Sequence, residues 1–276
     1  VIQNRFLQNL LYKNAFSRAI FTLYGLVWKE IRVCFRQFYT FRFPISSLFR
    51  TLGIFISSLN RLMLGRSLKY SFAFTGEDRI IESLLKTKIT YNGFYVDVGA
   101  NHPKFLSNTY SLYRKGWRGI CIDANKELIK KYAFFRPKDH AVHALVSDIP
   151  AARTFYQVQN DVLSTTDSRF LNDFEKEGLE IKEVKMQSAT LTDILDRYET
   201  PNDFDLLTVD AEEHDLEILK GLDWKRYRPK LVVVEDETFD FQNGATNPLV
   251  FFMRQNGYSL NGFVLKNLYF LNGDSC

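Results

Sequence analysis

Gly93-Phe94-Tyr95-Val96-Asp97-Val98-Gly99-Ala100-Asn101-His102-Pro103 is the stretch on which the fold turns. Its first six residues form a short apolar run that reads as a strand. Gly99 and Ala100 follow directly, so backbone at the strand's end can approach a ligand closely. The loop lacks the G-x-G-x-x-G spacing that cradles a dinucleotide pyrophosphate, and a nucleoside with a small zwitterionic tail fits it better.

Outward from this strand, the pattern from about residue 75 alternates. A helix is expected over Leu106–Lys115, a strand over Gly119–Asp123, a helix over Lys126–Phe135 and a strand over His140–Asp148. A polar excursion then runs to about residue 189. Beyond it the reading gives a helix at Leu191–Tyr198, a strand at Phe204–Asp210, a helix at Asp215–Gly221, a strand at Lys230–Asp236 and a helix at Asn247–Gly257. Tyr258–Leu271 reads as a hairpin turning at Asn261-Gly262 or Lys266-Asn267. Alternation of this kind implies an α/β domain, a parallel sheet with helices on both faces.

The net charge of +4 conceals two different halves. Residues 1–70 hold eleven Lys/Arg against one acid, Glu30, and fourteen of the 42 aromatics; they carry +10 and the remainder −6. The expected domains are therefore a basic, aromatic-rich extension over 1–70 and the α/β domain over 71–276. In the extension, Ile20, Tyr24, Val27, Ile31, Phe35 and Phe38 repeat at helical spacing, as do Ile45, Leu48, Leu52, Phe55, Leu59 and Leu62. These two amphipathic helices either pack on the domain or lie on an anionic membrane surface. Arg18, Lys29, Arg32, Arg42, Arg50 and Arg61 interrupt every run long enough to span a bilayer. Bases interleaved with aromatics also suit nucleic acid, but no motif supports it, so none is expected as a partner. Cys34, Cys121 and Cys276 are odd in number and far apart, which argues against a disulfide framework and for a reducing compartment. The expected location is the cytoplasm, either free or peripheral on the inner membrane face.

Ligands bind beyond the carboxyl ends of the strands in such a sheet, so the residues at those ends carry the chemistry. Asp123 stands 26 residues after Asp97, at the interval of a carboxylate that accepts ribose hydroxyls; it also suits an N-cap for the helix near Lys126. Asp148 sits where an adenine edge would lie, or begins a turn before Ile149-Pro150. His102 either touches the ligand from within the first loop or begins the next helix. Thr208-Val209-Asp210-Ala211-Glu212-Glu213-His214-Asp215 is the densest titratable cluster. His214 is the first candidate base there, with Asp210 as its orienter or alternative. Glu212, Glu213 and Asp215 also read as first-turn acids favoured by the helix dipole. Glu235-Asp236-Glu237 with Asp210 is a candidate oxygen-rich magnesium site. Gln159 to Gly178 supplies either an acceptor wall or a plain surface loop.

Several ordered motifs, Phe74-Thr75-Gly76-Glu77-Asp78, Tyr95 to Asn101, Ser107-Asn108-Thr109, Gly116-Trp117-Arg118-Gly119 and Leu219-Lys220-Gly221-Leu222-Asp223-Trp224, resemble the FkbM family of methyltransferases. The resemblance runs from about Phe74 to Asp236. It implies a Rossmann-like, seven-stranded, mostly parallel sheet with an antiparallel C-terminal strand, S-adenosyl-L-methionine as methyl donor, and a hydroxyl acceptor on a saccharide or glycoconjugate. By position, the family's Asp-x-Glu-Gly-x-Glu signature falls on Asp210 to Asp215. Pro103 stands where many members have glycine, and Glu213 replaces the signature glycine. Residue reading and resemblance together assign cofactor binding to Asp97, Gly99, Ala100, Asn101, His102, Asp123, Ala124, Asp148 and Asp210, and catalysis to His214 and Asp210. The alternatives are a non-catalytic binding or scaffold protein of the same fold, attached through residues 1–70, and a different nucleotide-dependent enzyme.

Overall fold

The computed structural model describes residues 52, 53, 56, 71–85, 92–158, 180–211, 214–242, 244 and 246–273. The chain divides into the units Val1–Tyr70 and Ser71–Cys276, and the fold below is that of the second. Of the first, only Leu52, Gly53 and Ile56 are described, and they are helical. The rest of the two expected amphipathic helices, the stretch Gln159 to Gly178, Glu212 and Glu213 lie outside the described residues. No helix among the described residues is long and apolar enough to cross a membrane.

The order of elements is α1 (Glu77–Leu84), β1 (Phe94–Val98), α2 (Tyr110–Lys115), β2 (Arg118–Asp123), α3 (Lys126–Phe135), β3 (His140–His143), β4 (Leu145–Val146), β5 (Ala152–Val158), β6 (Ile181–Ala189), α4 (Leu191–Arg197), β7 (Leu206–Val209), α5 (Asp215–Lys220), β8 (Leu231–Glu235), α6 (Pro248–Gln255), β9 (Tyr258–Val264) and β10 (Asn267–Asn272). Seven strands form one sheet in the order β3-β2-β1-β7-β8-β10-β9. Strands β3, β2, β1, β7 and β8 pair parallel, while β10 enters antiparallel between β8 and β9. The expected mostly parallel, seven-stranded Rossmann-like sheet with an antiparallel C-terminal strand is thus the fold of this unit.

Alternation along the strands decides which layer each side chain enters. Val96, Val98, Ile120, Ile122, Leu207, Val209, Val232 and Val234 face one way, onto Leu191 and Ile194 of α4, Ile218 of α5 and Val250 and Met253 of α6. Tyr95, Cys121, Leu206, Leu231 and Val233 face the other way, onto Ile81 of α1, Leu112 of α2 and Ile129 and Tyr132 of α3. Each of these buried aliphatic side chains is worth about 1.5–3 kcal/mol. The central strands, apolar on both faces, are committed to the interior by this alone.

Helix starts follow local hydrogen-bond chemistry. Asn125 accepts from the N–H groups of Glu127 and Leu128 and begins α3; Thr190 does the same for α4 through Asp193, and Asn247 for α6 with Pro248 at the first turn. The helix expected from Leu106 begins only at Tyr110, because Leu106 has φ +57° and the Ser107 hydroxyl accepts from the Tyr110 N–H.

Three expectations need correction. The strand read over His140–Asp148 is two strands: β3 pairs with β2, whereas β4 pairs with β6 in a separate sheet of order β4-β6-β5. The excursion to about residue 189 contains β5 and β6, an antiparallel pair. Lys182, Glu183 and Lys185 hid that pair, since a hairpin wet on one face needs few apolar residues. The C-terminal hairpin turns at Leu265-Lys266, and Asn261-Gly262 lies inside β9.

Candidate active site

Strand order reverses direction between β1 and β7, and a cavity of about 700 Å³ opens beyond the carboxyl ends of the strands there. This is the topological switch point at which open α/β sheets take ligands. Asp97, Gly99, Ala100, Asn101, Asp123, Ala124, Asp210 and His214 all line it. His102 and Asp148 do not.

The loop after β1 is held by its own backbone. The N–H groups of Gly99 and Ala100 both donate to Ile122 O, at 3.0 and 3.1 Å, and Tyr132 Oη donates to Ala100 O at 2.8 Å. Gly99 has φ +73°, and a Cβ there would stand 1.7 Å from Asp210 O. The β1 and β7 loops therefore cross in contact, and only glycine permits it.

Asp97 shares its face with Tyr95 and Cys121, so the strand drives its carboxylate beneath α2 and α3. Thr109 Oγ1 donates to Asp97 Oδ2 and accepts from Arg136 Nη2 at 3.0 Å. Arg136 is itself fully buried, paired with Asp139 at 2.7 Å and donating to Tyr95 Oη at 2.8 Å. Burial nonetheless dominates and raises the Asp97 pKa to about 6, against the opposing Arg136 charge and Thr109 hydrogen bond.

Asp123 is not a helix cap; Asn125 fills that role. Its Oδ2 accepts from the Asn101 N–H at 2.8 Å and its Oδ1 from the Asn125 N–H at 2.7 Å. These two backbone bonds, one to each oxygen, orient the carboxylate at the cavity wall.

His102 turns back on its own loop: Nδ1 accepts from the N–H groups of Lys104 and Phe105, and the ring packs against Phe105 and Phe135. Burial holds its pKa below the ordinary value, aided by Lys131 and Lys104. Asp148 accepts instead from Ser147 and pairs with Arg153 at 3.0 Å. The β4 end of the cavity is lined by Leu145, Val146 and Phe155, an apolar wall where a polar adenine contact was expected.

His214 has Ser147 Oγ, 3.0 Å from Nε2, as its side-chain partner among the described residues. The expected orienter, Asp210, does not hold the ring, because Nε2 is turned toward the end of β4. Burial lowers the His214 pKa from its ordinary value. Asp215, by contrast, accepts from the Ala211 N–H at 2.9 Å and shapes the start of α5. The magnesium site is not assembled: among the described residues no group of three His, Cys, Asp or Glu converges. Glu235 and Glu237 share Lys266, and Asp236 is taken by Asn247 and Thr238.

Sequence reasoning missed Phe74, Glu77, Asn108, Lys266 and Asn267, which with Glu235 and Glu237, read there only as metal candidates, form the far half of the cavity. Phe74, Glu77 and Asn108 lie inside motifs quoted above, and that was the available signal.

A switch-point cavity with a glycine crossing and two acids at the ends of adjacent strands is the arrangement of an S-adenosylmethionine-dependent methyltransferase. The model of the methyltransferase FkbM domain matches residues 97–260, more than half of the chain, and the chain belongs to that family. Two solved structures match the chain. A TehB-like SAM-dependent methyltransferase from Corynebacterium glutamicum is 13% identical with a TM-score of 0.40, over 77% of this chain and 92% of that one. Precorrin-6y C5,15-methyltransferase from Geobacter metallireducens is 14% identical with a TM-score of 0.36, over 74% and 92%. No curated protein matches the chain in sequence.

Proposed function

We propose that this methyltransferase transfers a methyl group to a hydroxyl of an uncharged saccharide or glycoconjugate. The observation that carries the reading is the lining of the cavity's far half. Glu77, Asn108, Glu235 and Asn267 offer hydrogen-bond donors and acceptors, and the Phe74 ring is 79% exposed beside them. Such a mixture suits a polyhydroxylated ring with one apolar face. Its charge suits an uncharged one: Glu77, Asp97, Asp123, Asp210, Glu235 and Glu237 line the cavity against Lys266, which Glu237 already pairs. A phosphorylated acceptor would meet this field as a like charge.

The residues present fit the cofactor. Asp97 lines the cavity with Thr109 as its one side-chain donor among the described residues, which suits it to an ammonium group. Asp123, at the cavity wall, suits ribose hydroxyls, and Ala124 and the apolar wall of Leu145, Val146 and Phe155 suit the base. When bound, S-adenosylmethionine supplies an electrophilic methyl carbon whose bond to sulfur breaks as the bond to the acceptor oxygen forms. The protein's share is to align that oxygen and exclude water. His214, neutral because burial disfavours its charged form, takes the proton the hydroxyl sheds.

The test is a panel of neutral methyl glycosides, oligosaccharides and their phosphorylated counterparts, incubated with enzyme and methyl-labelled cofactor. Label on neutral saccharides, with phosphorylated ones poorer by tenfold or more, is expected. Label confined to amines or to phosphorylated sugars would overturn the reading.

Residues 1–70 are proposed to hold the enzyme on an anionic membrane surface. The support is their +10 charge and excess of aromatics, with each base near anionic lipid worth about 1 kcal/mol. Full-length protein should sediment with phosphatidylserine vesicles more than a 71–276 chain does; equal binding would remove this proposal.

A further inference from the structure

We infer that Ser147 and Asp148 are positioning residues that fix the tautomer of His214, placing its proton on Nε2 and its lone pair on Nδ1. The inference rests on the reading of His214 as the base.

The argument is one of counting protons. Ser147 Oγ lies 2.9 Å from Asp148 Oδ1 and 3.0 Å from His214 Nε2, and a hydroxyl has a single hydrogen. An ionised carboxylate only accepts, so the hydroxyl hydrogen belongs to Asp148. What Oγ then offers the imidazole is a lone pair, and Nε2 must be the donor. A neutral imidazole with its hydrogen on Nε2 is unprotonated at Nδ1, the nitrogen that has no hydrogen bond among the described residues.

The ionisation of Asp148 is itself supported. The Ser147 hydroxyl, with help from Arg153, holds its carboxyl below the ordinary range. Among the described residues, the charges facing His214 are Glu217 on its own helix and Asp148 and Arg153 from the β4–β5 side; burial, with Arg153 acting in the same direction, outweighs the two acids in keeping the ring neutral.

The chain from Arg153 through Asp148 and Ser147 to His214 is anchored by backbone. Ser147 is fully buried, and its N–H donates to Ala189 O at 3.0 Å. At the other end of α5, a Cβ on Gly221 would stand 2.4 Å from Ser147 O. Helix α5 is thus seated on Ser147 at both ends, by His214 before its first residue and by Gly221 after its last. A hydroxyl so fixed imposes its hydrogen-bond polarity on the ring instead of adapting to it.

The experiment is nitrogen NMR of the full chain labelled at histidine nitrogen, with S-adenosylhomocysteine added, at a pH where imidazoles are neutral. The four histidines are separated by the signals that vanish in His214→Gln. The expected wild-type pattern for His214 is a protonated Nε2 and a pyridine-like Nδ1. Ser147→Ala and Asp148→Ala should each abolish that preference, and Ser147→Thr should retain it. Asp148 sits at the surface, so Asp148→Ala keeps the test available if Ser147→Ala fails to fold. A wild-type proton on Nδ1, or an unchanged pattern in a folded Asp148→Ala, would overturn the inference. Undiminished methyl transfer by His214→Gln would instead remove the base reading and leave the tautomer result standing.

Discussion

The backbone N–H of Asn101 donates to Oδ2 of Asp123 across 2.8 Å, tying the loop after β1 to the acid that ends β2. Asn101 has φ +45°, a conformation that costs a non-glycine residue energy, so the bond holds a strained loop in its binding shape. With Asp123 in its proposed role toward the ribose, Asp123→Ala should weaken cofactor binding twice, through the lost ribose contact and through the loosened loop. A drop of at least about tenfold in affinity is expected by calorimetric titration of S-adenosylmethionine. Asp123→Asn, which keeps an acceptor for the Asn101 N–H, should lose less.

The buried Asp97 carboxylate costs stability when it is charged. Its pKa in the fold, about 6, stands above the unfolded value of 3.8. The corresponding stability is fully present below pH 3.8 and is lost as the pH rises toward 6. At pH 7.5 the cofactor-free protein thus carries a buried charge whose cost is about 3 kcal/mol at most. Asp97→Asn should melt higher than wild type at pH 7.5, with the gap shrinking toward pH 5, and should bind the cofactor poorly. Wild-type affinity should rise from pH 5 to 7 as the carboxylate forms, with proton release detectable between buffers of different ionisation enthalpy.

At Gly99 the expectation is steric. With φ +73° and Asp210 O only 1.7 Å from the built Cβ, Gly99→Ala must separate the β1 and β7 loops. A loss of about 3 kcal/mol or more in chemical denaturation is expected, with no measurable cofactor binding.

Arg136 lies beneath the site without lining it. Arg136→Met would strand Asp139 as a buried, uncompensated charge and should cost about 3–5 kcal/mol. Arg136→Lys should not restore stability, since one ammonium cannot serve Asp139, Tyr95 and Thr109 in the guanidinium's fork. The joint change Arg136→Met with Asp139→Asn should recover part of the loss. Urea denaturation of the three variants makes the comparison.

Strand and helix periods are local properties, and that is why the sheet was legible. Phe94 to Val98, Arg118 to Asp123 and Leu206 to Val209 read as buried strands, and their ends name Asp97, Asp123 and Asp210. The β5–β6 pair was not legible, because it mixes exposed polar with buried apolar residues and joins Ala152–Val158 to the sequence-distant Ile181–Ala189.

What the sequence determined by itself was therefore the layer each residue occupies and the switch point where ligands bind, since both follow from period and order. What only the tertiary structure decided was where polar atoms point. His102 and Asp148 carry the right chemistry at promising positions, yet one imidazole caps its own turn and one carboxylate is taken by Ser147 and Arg153. Glu77 and Asn267, 190 residues apart, meet through a hydrogen bond and a shared cavity. A hydrogen bond depends on distances of tenths of an ångström between groups remote in the chain. Periodicity carries no such information, and packing supplies it.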